Sequence, residues 1–241
     1  MIEWLPPPDR LILQDHSVHV WSVELNDATF DSIQGHRLLS PDEQARAARF
    51  MFERDRRRYV VAHFALHDIL AGYLNAIAAD LRFVEVQNGK PKLAPPFATG
   101  SIEFNLSHSH ERALIGVAQG REVGVDIEFV KADFPFSEVA DRFFTAKEVA
   151  ALRALPVHQQ REAFYKCWTS KEAFLKAKGT GLSGKLDEVE IMLEGDERVR
   201  IDARVPGWSL AELNPSDGYE AALVNAGKAA QIQICRWQPT R

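Results

Sequence analysis

The sequence predicts an α+β fold built as two similar halves, and three observations carry that expectation. Alternating strand-like residues at Val18–Leu25 return 105 positions later as Val123–Val130. The helix-start pattern Ser40-Pro41-Asp42-Glu43 returns after the same 105 positions as Thr145-Ala146-Lys147-Glu148. Each box is followed by a long helical stretch and then by short strand-like runs, so one plan of strands and helices is used twice. A boundary near Gly120 separates residues 1–120 from residues 121–241.

Composition bounds the function. With 241 residues, 46% of them hydrophobic and 26% charged, the chain can bury a sizeable core. Its opening residues, Met1 to Pro8, hold an early acid and three prolines where a secretion signal needs basic residues and an apolar run. No later apolar run approaches a membrane span. A cytoplasmic monomer with no membrane partner is therefore expected. A net charge of −5 argues against nonspecific nucleic-acid binding, which needs a basic footprint. Cys167 and Cys235 have no metal spacing and are expected to be core thiols. Positive charge is concentrated from Arg37 to Arg58, where seven arginines face four acids. That segment is either a surface for a polyanion or acidic partner, or a solvated helix face.

Taken in order, Val18–Leu25 alternates as an opening strand, and the box at Ser40 with proline at the first helical position starts a helix at Pro41. Val60, Phe64, Leu70 and Leu74 are among the apolar positions of a second helix from about Arg54 to Asn75. A strand at Leu81–Val86, the turn Asn88-Gly89, and strands at Gly100–His108 and Leu114–Ala118 complete the first half. In the second, a helix from about Gln159 to Lys178 precedes strands at Val189–Leu193, Val199–Asp202, Trp208–Leu213, Tyr219–Val224 and Gln231–Trp237. His63 and His67 lie four apart on a helix, the spacing of a shared metal. With no H-E-x-x-H glutamate and no third ligand nearby, a structural role is expected.

Chemistry concentrates on the strand Val123 to Phe129. Alternation gives Val123, Val125, Ile127 and Phe129 one face, and Asp126 and Glu128 the other. Gly124 removes a side chain from the acidic face and leaves room there for a bulky group. Two carboxylates beside a gap suit a hard divalent cation with oxygen ligands, and the alternative is an acidic edge facing solvent. Further on, Trp168, Glu172 and Lys176 recur every four residues and share a helix face, with Gly179 as the helix cap. The run Gly179 to Lys185 imitates a phosphate-binding loop, but Leu186 stands where Ser or Thr would hold a metal, and the run follows a helix instead of a strand.

Gly124-Val125-Asp126-Ile127-Glu128 followed by Trp168-Thr169-Ser170-Lys171-Glu172-Ala173 resembles the signature pair of the phosphopantetheinyl transferases. Gly89-Lys90-Pro91, Asn105-Leu106-Ser107-His108-Ser109, Arg142-Phe143-Phe144 and Lys176 with Gly179, Gly181 and Leu182 are similar to the larger, two-lobed surfactin-synthetase-activating (Sfp-type) branch. Together these cover roughly residues 40–185, and the C-terminal third carries no motif.

The resemblance implies two α/β lobes in pseudo-twofold arrangement with the active site in the cleft between them. It implies transfer of the phosphopantetheine arm of coenzyme A to a serine of an apo acyl or peptidyl carrier protein, releasing 3′,5′-ADP. Asp126, Glu128 and Glu172 would hold Mg²⁺, with Mn²⁺ as the alternative, and Lys176 would meet the pyrophosphate. Ser107 and His108 would contact coenzyme A phosphates, Lys90 would lie near the nucleotide, and Arg46 and Arg58 would be its basic phosphate ligands. The lobe of residues 1–120 would supply phosphate contacts and carrier docking, and residues 121–241 the carboxylates and catalytic helix. The attacking serine needs a base, for which Glu172 is the best candidate. Strict alternation from Ile102 points His108 at the core, so that strand is expected to end by Ser107. A metal-dependent nucleotide hydrolase could use the same carboxylates, and a noncatalytic coenzyme A or polyanion-binding module the same basic surface.

Overall fold

The computed structural model describes residues 4–8, 11–85, 90–98, 100–180, 186, 189–195, 199–203 and 205–239. The expected turn at Asn88-Gly89, and Gly181 and Leu182 of the last motif, lie outside these residues. The first half runs β1 (Ser17–Glu24), α1 (Ser32–Leu38), α2 (Pro41–Ala47), α3 (Glu53–Leu74), β2 (Phe83–Glu85), β3 (Pro91–Leu93), β4 (Ile102–Ser109) and β5 (Arg112–Gln119). The second runs β6 (Val123–Phe129), α4 (Phe136–Phe143), α5 (Ala146–Ala154), α6 (Val157–Lys178), β7 (Ile191–Gly195), β8 (Val199–Ala203), β9 (Trp208–Leu213) and β10 (Tyr219–Ala226). Every second-half element begins 104 to 108 residues after its counterpart, and α3 and α6 are both 22 residues long.

Sheet topology repeats as well. The two larger sheets have the orders β11-β1-β5-β4 and β6-β10-β9, and β2-β3 and β7-β8 form two small hairpin sheets, so β1-β5-β4 and β6-β10-β9 are the same arrangement. The added strand β11 (Gln231–Arg236) has no counterpart among the described residues; it leaves the second half and pairs parallel with β1. The central strands β1, β5 and β10 bury both faces because each of these two sheets is covered twice. Trp21, Val23, Ile115 and Val117 pack with α3, while Ala222 and Val224 pack with α6. Val18, Val20, Leu114, Val123, Val125, Ile127 and Leu223 form a third cluster between the sheets. The layers are therefore helix, sheet, sheet, helix.

Local chemistry sets the helix ends. Ser40 and Thr145 both close full capping boxes, with Glu43 and Glu148 reaching back to the cap nitrogens. Three elements escape the sequence reading. Helix α1 is only seven residues long and starts on Asp31, whose carboxylate caps Ile33 and Gln34. Helix α4 has Pro135 at its N-cap and no side-chain cap, and β3 begins on a proline that has no N–H to donate. Cys167 and Cys235 are free and buried, as expected.

The reading of β4 needs correction. The strand does not stop at Ser107 but continues to Ser109. Alternation holds throughout; the core ends first, since Phe104 is buried, Leu106 half-buried and His108 exposed along the same face. His63 and His67 acquire a neighbour that no local spacing reveals. The Glu43 carboxylate lies 2.9 Å from His63 Nδ1 and 3.0 Å from His67 Nε2, tying α2 to α3. Burial pushes this carboxyl up, but bonds from His63, His67 and Ser40 outweigh it and hold the group well below the usual carboxylate range.

Candidate active site

Strand β6 has one face in the core between the sheets and presents Gly124, Asp126 and Glu128 to α6. The space at Gly124 is not left for a ligand. A methyl group there would collide with the α6 backbone at Ala173 and Ala177, so the bulky neighbour is the helix itself. Ala173 and Ala177 are small and buried, and with Gly124 they let strand and helix approach closely enough to bring Glu172 and Lys176 over the acids.

Lys176 Nζ lies 2.6 Å from Asp126 Oδ1 and donates to Ser107 Oγ at 2.8 Å. The Ser107 hydroxyl lies 2.8 Å from the same carboxylate oxygen. Asp126 is 3% exposed and Glu172 9%, so Glu172 and Lys176 are not the exposed i, i+4 surface pair that spacing alone allows. Glu128 accepts a hydrogen bond from Ser109 Oγ at 2.6 Å. Burial raises the Glu172 carboxyl above its ordinary value, and the charges of Asp126 and Glu128 add to this against the opposing pull of Lys176. Burial likewise raises Glu128.

The donor set fits a hard cation. Asp126 Oδ2 and Glu172 Oε1 are both buried without a hydrogen-bond partner. Orphaned carboxylate oxygens of this kind are costly, and an oxygen-seeking divalent cation would satisfy them. Among the described residues no three His, Cys, Asp or Glu side chains converge into a ready-made metal cage, and the positive charge beside Asp126 is Lys176. Such an open set is what a cation shared with a phosphate ligand needs.

The floor lies at the seam of the two sheets. Strand β6 is an edge strand whose outward N–H groups would be unpaired, but β4 runs beside it and supplies side chains in place of a ladder. Asn105 Oδ1 accepts from Val125 N at 2.9 Å, and Ser109 Oγ accepts from Phe129 N at 3.1 Å. Asn105 and Ser109 lie inside the motif but had no expected role. Their signal is the polar alternation Glu103, Asn105, Ser107, Ser109, which marks the face of β4 turned to β6.

Other expected residues divide into two groups. His108 stands at the rim. Its outer edge is exposed, but desolvation on its inner side, with Lys176, His63, Arg46 and Arg58 around it, holds its pKa below the ordinary value. Arg58 is nearly buried and bonds Asn26 Oδ1 at 3.1 Å and Glu111 Oε1 at 3.4 Å. Arg46 is exposed and pairs with Glu85 at 3.3 Å. Lys90 is turned inward. It is 9% exposed, and its ammonium donates to Val123 O at 3.2 Å and Ala177 O at 3.1 Å, bracing β6 against α6.

Lys171, beside Glu172, forms a wholly buried ion pair with Glu148 at 2.7 Å. Desolvating both charges is offset because Lys171 also donates to Leu186 O at 2.8 Å and Val189 O at 2.5 Å, while Glu148 Oε1 accepts from Ile191 N at 2.7 Å. The pair fixes α6 against α5 and β7.

Comparison with known proteins agrees with this anatomy. Residues 122–224 match the family model of the 4′-phosphopantetheinyl transferase superfamily, and residues 27–119 that of the 4′-phosphopantetheinyl transferase N-terminal region. The two matches meet between β5 and β6. The chain is 39% identical over 236 residues to the 4′-phosphopantetheinyl transferase HetI of Nostoc sp., covering 98% of this chain and 96% of that protein. It is 32% identical over 193 residues to the 4′-phosphopantetheinyl transferase Sfp of Bacillus subtilis, covering 78% and 82%. The human L-aminoadipate-semialdehyde dehydrogenase-phosphopantetheinyl transferase is 30% identical over 167 residues, covering 65% and 53%. Near-complete coverage at this identity, with the acidic strand and the Lys176 helix inside the matched region, leaves one assignment: the chain belongs to the 4′-phosphopantetheinyl transferase superfamily.

Proposed function

We propose that the chain is a transferase of the holo-[acyl-carrier-protein] synthase type, moving the phosphopantetheine arm of coenzyme A to a serine of an apo carrier protein. The observation that carries this reading is the pairing of Lys176 with Asp126 beside two orphaned buried oxygens, Asp126 Oδ2 and Glu172 Oε1. A lysine and an open set of carboxylates facing each other suit a pyrophosphate held with a divalent cation. Asp126, Glu128 and Glu172 would hold Mg²⁺, or Mn²⁺, whose chemistry there is neutralisation of pyrophosphate charge.

The protein's own residues position the reaction and handle its proton. Lys176 meets the pyrophosphate, and Ser107, His108, Arg46 and Arg58 contact coenzyme A phosphates on the side of residues 1–120. Lys90 acts through the backbone it braces. The serine oxygen of the carrier attacks the phosphorus that bears the pantetheine arm, the bond from that phosphorus to the bridging oxygen breaks, and 3′,5′-ADP leaves with the electron pair. Glu172 takes the serine proton. A carboxyl raised by burial is a better base than an exposed one, and phosphoryl transfer otherwise needs mainly positioning and charge. Residues 121–241 thus carry the reacting groups.

Incubation with coenzyme A, Mg²⁺ and an apo carrier protein, followed by mass spectrometry of the carrier, tests this. The expected result is a carrier heavier by one phosphopantetheine group. Coenzyme A cleaved without carrier modification would point to a hydrolase, and coenzyme A bound but unchanged to a binding module.

A further inference from the structure

Arg58 is held by two side chains that the transfer chemistry does not use. Its Nε donates to Asn26 Oδ1 at 3.1 Å and its Nη2 lies 3.4 Å from Glu111 Oε1, while Asn26 Nδ2 donates to that same carboxylate oxygen at 2.7 Å. The Asn26 amide can face only one way here. Turned over, it would set its oxygen against a carboxylate and its NH₂ against a guanidinium, so Glu111 fixes the orientation in which Asn26 receives Arg58.

Both partners stand on backbone that is itself tied down. The preceding arginine of α3, Arg57, donates to Asp27 O at 2.7 Å and Phe30 O at 3.0 Å, which holds the loop after β1 against the helix. Glu111 sits in the tight turn between β4 and β5, where His110 takes the left-handed backbone with φ 54°. From that turn its carbonyl accepts from Leu25 N at 2.9 Å, and its own N–H donates to the Tyr219 hydroxyl of β10 at 3.1 Å. The grip on Arg58 is thereby referred to both halves of the fold.

An arginine engages phosphate through paired N–H groups of a planar fork, so the direction of the fork decides where the phosphate sits. Asn26 and Glu111 occupy the edge made by Nε and Nη2, and Nη1 makes no hydrogen bond among the described residues. With its side chain only 12% exposed, Arg58 is not free to swing, and its charge reaches His108 at the cleft rim together with those of Lys176 and Arg46.

We propose that Glu111 and Asn26 are positioning residues, which grip one edge of Arg58 and present the Nη1 side of its fork to a phosphate of coenzyme A. This rests on the coenzyme A reading of the cleft. A carboxylate beside a phosphate repels it, so charge alone gives Glu111 no favourable part in binding; the grip does.

That opposition supplies the test. Coenzyme A binding is measured by calorimetry, and transfer at saturating apo carrier with varied coenzyme A. Glu111→Ala removes the grip and a negative charge together, and Asn26→Ala removes the grip with every charge left in place. Both should raise the Kd and KM for coenzyme A about fivefold or more and leave kcat within about twofold, the pattern of lost uniform binding. Glu111→Gln keeps an acceptor for Asn26 and should return to within about twofold of wild type. The two alanine changes combined should cost no more than the larger one, because both act through Arg58. Melting temperatures should move little, since Glu111 is 46% exposed and its ion pair is long. Tighter coenzyme A binding by Glu111→Ala would make Glu111 a charge only and overturn the positioning role. Unchanged binding in both alanine variants, with wild-type transfer intact, overturns it as well and spares the transferase reading. A wild-type protein that binds coenzyme A but transfers nothing sinks the transferase reading alone, and one that does not bind it sinks both.

Discussion

Gly124 and Ala177 meet backbone to backbone: a methyl group added to the glycine would fall 2.9 Å from the alanine Cα and closer still to its nitrogen. Strand β6 and helix α6 therefore have no side chain between them at this point, and the positions of Glu172 and Lys176 over Asp126 depend on that contact.

Gly124→Ala should push the helix off the strand. Overpacking of this kind costs about 1–3 kcal/mol, so the variant should fold with a lowered melting temperature. Its transfer rate should drop far more than its stability, by about a hundredfold, because positioning groups misplaced by an ångström lose rate on that scale. Near-normal turnover would show that helix placement over β6 is not limiting.

Asp126→Asn keeps size and removes charge. Lys176 is more than a quarter exposed and can turn to solvent when its partner is neutral, so the fold should survive. Transfer should fall by about two orders of magnitude or more, the scale of losing a charged transition-state contact. Circular dichroism with the transfer assay separates the two effects, and wild-type turnover would remove Asp126 from the site.

Glu172→Gln retains one oxygen but cannot take a proton at neutral pH. Turnover should fall by about a hundredfold or more, the scale of general-base removal, while coenzyme A still binds. A deficit that persists at saturating Mg²⁺ supports the base role; one that recovers fully leaves Glu172 as a metal ligand only.

Glu220 gives a pH signature of stability. Burial, with Glu162 and Glu212 nearby and Lys166 opposing, raises its carboxyl to about 7. Between the ordinary carboxylate value and about 7 the folded protein keeps a proton that the unfolded chain has released, so stability falls as pH rises through that window. Glu220→Gln should therefore melt higher than wild type at pH 8 and no higher at pH 4. Equal melting temperatures at pH 8 would contradict the raised value.

What the sequence discloses is what short-range chemistry encodes. Alternation sets the two faces of β6, the boxes at Ser40 and Thr145 start their helices, and the repeated interval announces the repeated topology. Glu172 and Lys176 share a face because they are one turn apart. The remainder is long-range. That α6 fills the space above Gly124, that Asn105 and Ser109 cap the edge of β6, and that Glu43 joins His63 to His67 all depend on which elements meet, which periodicity does not record. Lys90 shows the limit most clearly: a motif can mark a lysine, but only packing decides that its ammonium turns to Val123 O and Ala177 O.

Strand β11 ties the end of the chain to its beginning. It lies in register along β1, and Trp237 just beyond it donates to Asp68 Oδ2 on α3 at 2.8 Å. During synthesis β1 and β5 leave the ribosome well over a hundred residues ahead of this strand, an interval on the order of ten seconds at ordinary elongation rates. For that time one edge of β1 has no partner, and an open edge of apolar residues is a hazard for a nascent chain. The repeated plan would allow each half to mature as it emerges. The last strand makes the earlier half wait for the later one, so cutting the chain at Gly120 would yield an incomplete first sheet, not two self-sufficient units.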